Sequence, residues 1–319
     1  MERSITSKDM IKLAAMECAA SCMLTGLHLS GMNYRYFLLG YWNLTYYANT
    51  LMSGGSILRS DLEYVYGIQV KPVNGSVADI IPILHEGNWA MLECLASKLH
   101  FFPKNMLGFE SEHFNHFILI HGFEPATNSF LVIDPIADFI GEMSESELRI
   151  ASVGQEEMHF YVSLSSERTE TPSRENIFLY QANLNLKNYC LHENSGIGAI
   201  QMFSRALSES VTMRSEELDL WIEQNNITVS SISKTRSIVW NNFCELNLLQ
   251  PEEVQEGDDA VNEIVKLWMT INFLLIKLKR SPSKQTLIST IQKRLEEVGL
   301  QERAFLEFIY KKGCVLCAV

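Results

Sequence analysis

Positive charge is in short supply in this chain. It carries 26 Lys and Arg against 38 Asp and Glu, a formal net charge of −12. Neutralising nucleic-acid phosphates needs a basic surface, so RNA or DNA binding falls away as a main task. A long uncharged apolar run is also missing. The most apolar stretch near the start, IKLAAMECAASCMLTGLHLSG, is interrupted by Lys12, Glu17 and His28. A membrane span needs about 20 nearly uncharged residues, so this stretch reads as a buried helix region. MERSITSKDM has no apolar stretch behind its basic residue and does not read as a secretory signal. The 7 cysteines show no framework spacing, which fits free thiols in a reducing compartment better than disulfides. The expectation is a cytoplasmic protein with no membrane association.

Several signatures of chemistry are absent too. There is no G-x-S-x-G elbow for serine hydrolysis, no P-loop and no dinucleotide fingerprint. His113, His116 and His121 form no ligand pattern, and Cys314-x-x-Cys317 lacks a second pair to complete a zinc site. No metal and no cofactor of the chain's own are expected. Internal repeats and low-complexity tracts are missing as well.

What is present changes character near residue 165. With 47% hydrophobic and 20% charged residues the chain can bury a core. Its 319 residues suit one large or two ordinary domains. Residues 1–165 mix helices and strands. Met10 to Leu29 has helical spacing and stops at Gly31, and Tyr34 to Met52 reads as an aromatic-rich helix. Short helices are expected at Asp61–Tyr66 and Asp79–Glu86, each closed by Gly, with strands at Ile68–Val70 and Trp89–Leu95. HFILIHGF (His116–Phe123) and FLVID (Phe130–Asp134) are joined by EPATNS, whose Pro and Asn are turn residues, so they predict an antiparallel hairpin. A further strand is expected at Met158–Leu164. Helices first and an antiparallel sheet after make an α+β layout. Ser165 to Arg174 is polar, carries Pro172 and reads as a linker. Residues 175–319 read as helices near Ile197–Val211, Ser215–Asn225, Ser230–Leu249, Asp258–Arg280, Ser283–Val298 and Glu302–Lys312.

Three residues form a chemical constellation. If Cys18 lies near the start of the helix that runs to Leu29, its thiol meets the positive end of the helix dipole, which favours the thiolate. His116 opens a strand, and its imidazole can take a thiol proton and later return it to a leaving group. Asp134 closes the next strand, and its carboxylate can hold the far nitrogen of His116. A hairpin places the start of one strand beside the end of the next, so His116 and Asp134 should be neighbours. Each has a bland reading: Cys18 as a small core residue, His116 as a hydrogen-bonded strand histidine, Asp134 before Pro135 as a turn residue. Cys22, one turn later, is the rival nucleophile, and its deeper place in the helix suits a core role.

The order Cys on an N-terminal helix, His at the start of an H-x-[IV]-x-[IV]-x-G-[FY] strand, then Asp-Pro after the next strand resembles bacteriocin-processing cysteine peptidases and the wider papain-like group. FLLGYWNLTYY, LHEGNWAMLECL and HFNHFILIHGFEPATNSFLVIDP resemble more closely the butirosin biosynthesis protein H-like family. The resemblance covers about residues 10–165. It implies a papain-like first half, with helices packed on an antiparallel sheet, and an acyltransferase active in antibiotic biosynthesis. The enzyme would move an acyl group from the phosphopantetheine thiol of an acyl carrier protein to an amine of an aminoglycoside-type acceptor. Cys18 would carry the acyl group, His116 would act as base and acid, and Asp134 would orient His116. A cysteine peptidase or amide hydrolase with the same residues, and a non-catalytic binding module, are the competing readings.

Papain-like enzymes usually place a Gln a few residues before the Cys, where its amide donates to the oxyanion. The stretch Lys12–Glu17 has none. The backbone N–H of Cys18 is one candidate donor, and Asn115 and His113 are candidates for the second. Glu17 beside the thiol would raise its pKa or bind a cationic amine. From Lys266 to Lys312 there are ten Lys or Arg against four Glu, a net of +6 that leaves −18 for the rest. A basic helical patch would steer an acidic carrier protein, and an acidic remainder would hold a polycationic acceptor.

Overall fold

The computed structural model describes residues 5–14, 17–54, 59–104, 115–154, 157–166, 171–191, 193–281 and 284–318. The first part of the chain runs α1 (Cys18–Leu29), α2 (Arg35–Leu39), β1 (Leu44–Tyr47), β2 (Thr50–Ser53), α3 (Asp61–Tyr66), β3 (Ile68–Gly75), α4 (Val77–His85) and β4 (Ala90–Leu95). There follow β5 (Asn115–Glu124), β6 (Ser129–Asp134), β7 (Phe139–Ser144), α5 (Glu145–Ala151) and β8 (Met158–Ser165). The remainder is helical: α6 (Arg174–Leu191), α7 (Ile197–Glu209), α8 (Ser215–Glu245), α9 (Pro251–Arg280) and α10 (Lys284–Leu316). The protein is α+β, with strands and helices in its first half and helices in its second. No helix among the described residues is long and apolar enough to cross a membrane.

Two compact units share the chain. One holds Met1–Tyr34 and Ser56–Thr171, the other Arg35–Gly55 and Pro172–Val319. The second unit therefore takes α2, β1 and β2 from the first half of the sequence, whereas the sequence suggests a single boundary at the polar segment from Ser165 to Arg174. Residues 167–170 of that segment lie outside the described residues.

The first unit is built on a six-stranded antiparallel sheet in the order β3-β8-β4-β5-β6-β7. Alternate residues Leu92 and Cys94, Ile118 and Ile120, Phe160 and Val162 share one core with Ile80 and Leu84 of α4 and Leu148 of α5. This is the period of two that a half-buried strand imposes. β7 and α5 are additions to the sequence reading. β7 is an edge strand with one buried residue, Met143, so it carries almost no apolar alternation. The start of α5 does have a signal: Ser144 and Glu147 form a reciprocal capping box, with Ser144 N donating to Glu147 Oε2 at 2.7 Å.

α1 begins at Cys18, eight residues into the apolar stretch that starts at Met10. The residues before it run alongside the helix instead of extending it. Ile11 N donates to Thr25 Oγ1 at 3.0 Å and Leu13 N to Ser21 Oγ at 3.1 Å. The helix ends in a Schellman arrangement, with Met32 N bonded to Leu27 O, Gly31 N to His28 O, and Gly31 at φ +74°. Inside α1, a Cβ at Gly26 would lie 2.7 Å from the buried Trp89 ring. Helix propensity favours Ala over Gly by about 1 kcal/mol. The overlap wins here because Trp89 has no room to retreat. Gly26→Ala should destabilise the protein by about 1–3 kcal/mol, the usual cost of overpacking, measured by urea unfolding.

The second unit corrects several sequence expectations. Tyr34 to Met52 is not one helix. α2 closes with Gly40 N on Phe37 O, and LTYY pairs with TLMS through a two-residue turn in which Ala48 and Asn49 have φ of +47° and +63°. β-Branched and aromatic residues outweigh helical spacing there, and Asn tolerates the left-handed turn. Ser215–Asn225 and most of Ser230–Leu249 fall on one helix, α8, which ends at Glu245 and whose middle polar residues are satisfied both within it and by its neighbours: Asn225 Nδ2 donates to Trp221 O and Thr228 Oγ1 to Asn225 O, while Asn225 Oδ1 accepts from Leu51 N and Asn226 Nδ2 donates to Asn272 O. Its N-cap is Arg214, whose backbone N donates to Glu217 Oε2 at 3.3 Å and whose Nε donates to Glu217 Oε1 at 2.9 Å. α10 likewise runs through Gly299, where the sequence suggests two helices. α9 starts at Pro251 with Glu252 and Glu253 in its first turn, not at Asp258, which instead accepts Trp240 Nε1 at 2.6 Å. α6 is also new, since its apolar residues lack a clean stripe.

The core of this unit holds an ion pair. Arg236 Nε and Nη2 bond Glu302 Oε1 and Oε2 at 2.6 and 3.0 Å, Trp268 Nε1 bonds Glu302 Oε1 at 2.7 Å, and Arg236 lies 4.7 Å over the Trp42 ring. One of the four Glu counted in the basic C-terminal segment is therefore fully buried.

Candidate functional site

The site is assembled where α1 begins and β5 and β6 lie side by side. Cys18 is the first residue of α1, half-buried and packed at the margin of the sheet core. N–H groups in a helix's first turn have no intrahelical acceptor, so the Cys18 amide points from the same end as its sulfur. The thiol lies close enough to the His116 ring to raise its pKa.

His116 is the second residue of β5 and lies opposite Cys94 of β4. It is 1% exposed, and Asp134, the last residue of β6, is 0% exposed. His116 Nε2 and Asp134 Oδ2 are 2.7 Å apart. That leaves Nδ1 for Cys18. Asp134 Oδ1 is held separately, accepting from Ile136 N at 2.9 Å and Ala137 N at 3.1 Å. The carboxylate is thus fixed by the turn that follows it, and one oxygen is reserved for the imidazole. Burial alone would pull the His116 pKa down. Hydrogen bonds to Asp134 and Cys18, together with their charges, outweigh it and hold the ring at about 10.

Two other thiols lie close by and differ in kind. Cys22 Sγ donates to Phe117 O at 3.4 Å and Cys94 Sγ to His116 O at 3.5 Å. Both are fully buried, and desolvation, with the charge of Asp134 as the next cause, pushes both thiols well above their usual range. They fasten the β5 backbone beside the histidine and stay protonated. Cys18 is the partly open thiol of the three.

Sequence reasoning missed three contributors. Phe102 packs edge-on against the His116 ring, with centroids 4.8 Å apart and planes at 72°. Lys12 Nζ donates to Ile136 O at 3.0 Å and sits 3.9 Å from Asp138 Oδ2, clasping the turn after Asp134. Cys94 is the third. None had a local signal, since each acts through contacts far along the chain. Of the candidate oxyanion and acceptor residues, Asn115 is exposed and its Nδ2 donates to Glu93 Oε1 at 2.8 Å. Glu17 is buried directly before α1, and its carbonyl accepts from Ser21 N at 2.8 Å. His113 lies outside the described residues. Among the described residues no cluster of three or more His, Cys, Asp or Glu is placed to hold a metal ion.

No protein-family model matches the chain, and no curated protein sequence matches it.

Proposed function

We propose that the first unit is a cysteine acyltransferase, with Cys18 carrying the acyl group as a thioester. The observation that carries this is the juxtaposition of a half-open thiol at a helix start, an imidazole whose pKa that thiol raises, and a buried carboxylate bonded to the imidazole at 2.7 Å. The resemblance of the surrounding segments to the butirosin biosynthesis protein H-like family supports transfer over hydrolysis.

The chemistry follows from the geometry. The Cys18 sulfur, its proton on His116, attacks the acyl carbonyl of a carrier-bound thioester. A tetrahedral oxyanion forms, and the Cys18 amide is one donor for it. The C–S bond to the donor breaks, and His116 Nδ1 gives its proton to the departing phosphopantetheine thiolate. An amine of the acceptor then attacks the Cys18 thioester and passes a proton to His116. The amide forms and the Cys18 thiolate leaves. Thioester-for-thioester exchange is nearly balanced, and the amide product makes the second step downhill. Asp134 keeps Nδ1 facing the sulfur and stabilises the imidazolium throughout.

Intact-mass spectrometry after incubation with acyl-loaded carrier proteins tests this directly. A mass gain equal to the acyl group, mapped to Cys18 and discharged faster when an aminoglycoside is added, is the expected result. Discharge at the same rate with and without amine would mean hydrolysis. No adduct with any donor, and no labelling of Cys18 by iodoacetamide, would mean a binding module.

The donor's carrier protein is proposed to approach the basic helices of the second unit. Much of that charge is already partnered: Lys279 bonds Glu223 of α8, Lys312 bonds Glu253 of α9, and Arg294 bonds Glu297. Each such pair cancels locally, so the steering potential comes from the exposed basic residues outside these pairs, Lys293 among them. Reversing Lys293 and Arg294 to Glu should raise the KM for the carrier-bound donor about tenfold and leave a small thioester donor unaffected. Equal loss with both donors would count against docking there.

A further inference from the structure

The second unit has an apolar surface that its own fold leaves uncovered. On α9, Met269, Phe273 and Ile276 are 60, 64 and 49% exposed. Their spacing of four and then three places them along one side of the helix. On α8, Leu220 and Ile227 are 47 and 36% exposed. The two helices are antiparallel and their register is pinned: Lys279 Nζ bonds Glu223 Oε1 at 2.7 Å, and Asn226 Nδ2 donates to Asn272 O at 3.1 Å. Leu220 and Ile227 therefore lie level with the stretch of α9 that carries Ile276 and Phe273. The five side chains make one outward surface of the helix pair, crossed at the seam by the Lys279–Glu223 bond. Solvated singly, such residues need no explanation; gathered on one face, they mark an interaction surface.

The charges beside these apolar residues differ in sign between the helices. α8 carries the exposed Glu216 and Glu223, and α9 the exposed Lys277 and Arg280. A stable interface covers about 800 Å² per partner, more than five partly exposed side chains supply, so the charges must lie inside it. Its partner must then present a matching apolar surface with the signs exchanged. A second copy of this chain does so by symmetry. A two-fold axis parallel to the helices sets α8 of one copy over α9 of the other at the same level, acid over base twice. A two-fold axis across the helices would set α8 over α8 and acid over acid.

We infer that the protein is a two-fold dimer through the α8–α9 face, with Phe273 and Ile227 at its centre and Glu216 and Glu223 of each copy on the Lys277 and Arg280 side of the other. None of these residues takes part in the acyl-transfer chemistry, so the test stands apart from that reading; Lys277 and Arg280 belong to the basic segment, and a carrier would dock on the part of it that the dimer leaves open, around Lys293 and Arg294.

Sedimentation velocity on the full chain tests it, with thermal unfolding monitored by circular dichroism as the control for folding. The wild type should sediment as a dimer. Phe273→Glu should weaken the dimer at least about 100-fold, as expected for a central aromatic, while unfolding stays cooperative and its midpoint matches that of the wild type diluted until it is monomeric. Lys277→Glu/Arg280→Glu and Glu216→Lys/Glu223→Lys should each be monomeric alone, and an equimolar mixture should form a heterodimer. A monomeric wild type would overturn the inference. So would a dimer that Phe273→Glu leaves intact, or a mixture that associates no better than its components.

Discussion

Cys18→Ser is expected to abolish the acyl-enzyme and lower turnover by about a thousandfold or more. A hydroxyl in the same place is a far weaker nucleophile than a thiolate, and the imidazole now has a much less acidic proton to remove. Cys22→Ser and Cys94→Ser provide the contrast. Their thiols are fully buried and donate to backbone carbonyls of β5, so their loss should cost stability and leave iodoacetamide labelling at Cys18. Peptide mapping of the labelled protein checks all three. Because Cys190, Cys314 and Cys317 are exposed and will also react, the position of the label decides: a label on Cys22 in Cys18→Ser, with none on Cys18 in Cys22→Ser, would move the nucleophile one turn down the helix and overturn the assignment.

Asp134→Asn should lower turnover about 10³–10⁴-fold while the fold persists. An amide oxygen can still accept from Ile136 N and Ala137 N, as Asp134 Oδ1 does. The amide nitrogen would then face His116 Nε2, donating where the carboxylate accepts. The ring would have to place its proton on Nδ1, the nitrogen needed as the base, which is the wrong tautomer.

The same variant separates the causes of the raised pKa. In the wild type the imidazolium is held from its ordinary value of 6.5 up to about 10. A group whose folded pKa is raised stabilises the fold in full below its unfolded value. That contribution is lost as pH rises through the folded value, so wild-type stability should decline between about pH 6.5 and about pH 10. The alkaline limb of acylation by a small thioester should likewise lie near pH 10. In Asp134→Asn burial remains and the carboxylate is gone, so both features should move to lower pH. Urea unfolding and single-turnover acylation across pH measure them. An alkaline limb that does not move would mean that Asp134 does not govern the ring.

How much of this is readable in the sequence differs by element. The β5–β6 hairpin is, because HFILIHGF and FLVID alternate and flank a Pro- and Asn-bearing turn. The closing glycines of α1 and α3 are, because Gly31 and Gly67 take φ of +74° and +68° that other residues resist. The β1–β2 hairpin is not, because Tyr46 and Tyr47 fit helical spacing and strand propensity equally and Asn49 alone marks the turn. The long helices α8 and α10 look broken at Asn226–Ser230 and Gly299, since local propensity does not register the packing that carries a helix through a weak position.

Composition and spacing were enough for the α+β layout, the order of Cys18, His116 and Asp134 along it, and the residue types able to do thiol chemistry. Four things needed the closed fold: that α1 begins at Cys18 and not at Met10, that Nε2 is the nitrogen Asp134 holds, that two of three neighbouring thiols are shut away, and that Phe102 and Lys12 brace the histidine and the turn after the aspartate. The division is one of range. Spacing and propensity report interactions within a few residues, whereas Lys12 meets Ile136, Cys22 meets Phe117 and Cys94 meets His116 only after the sheet has closed.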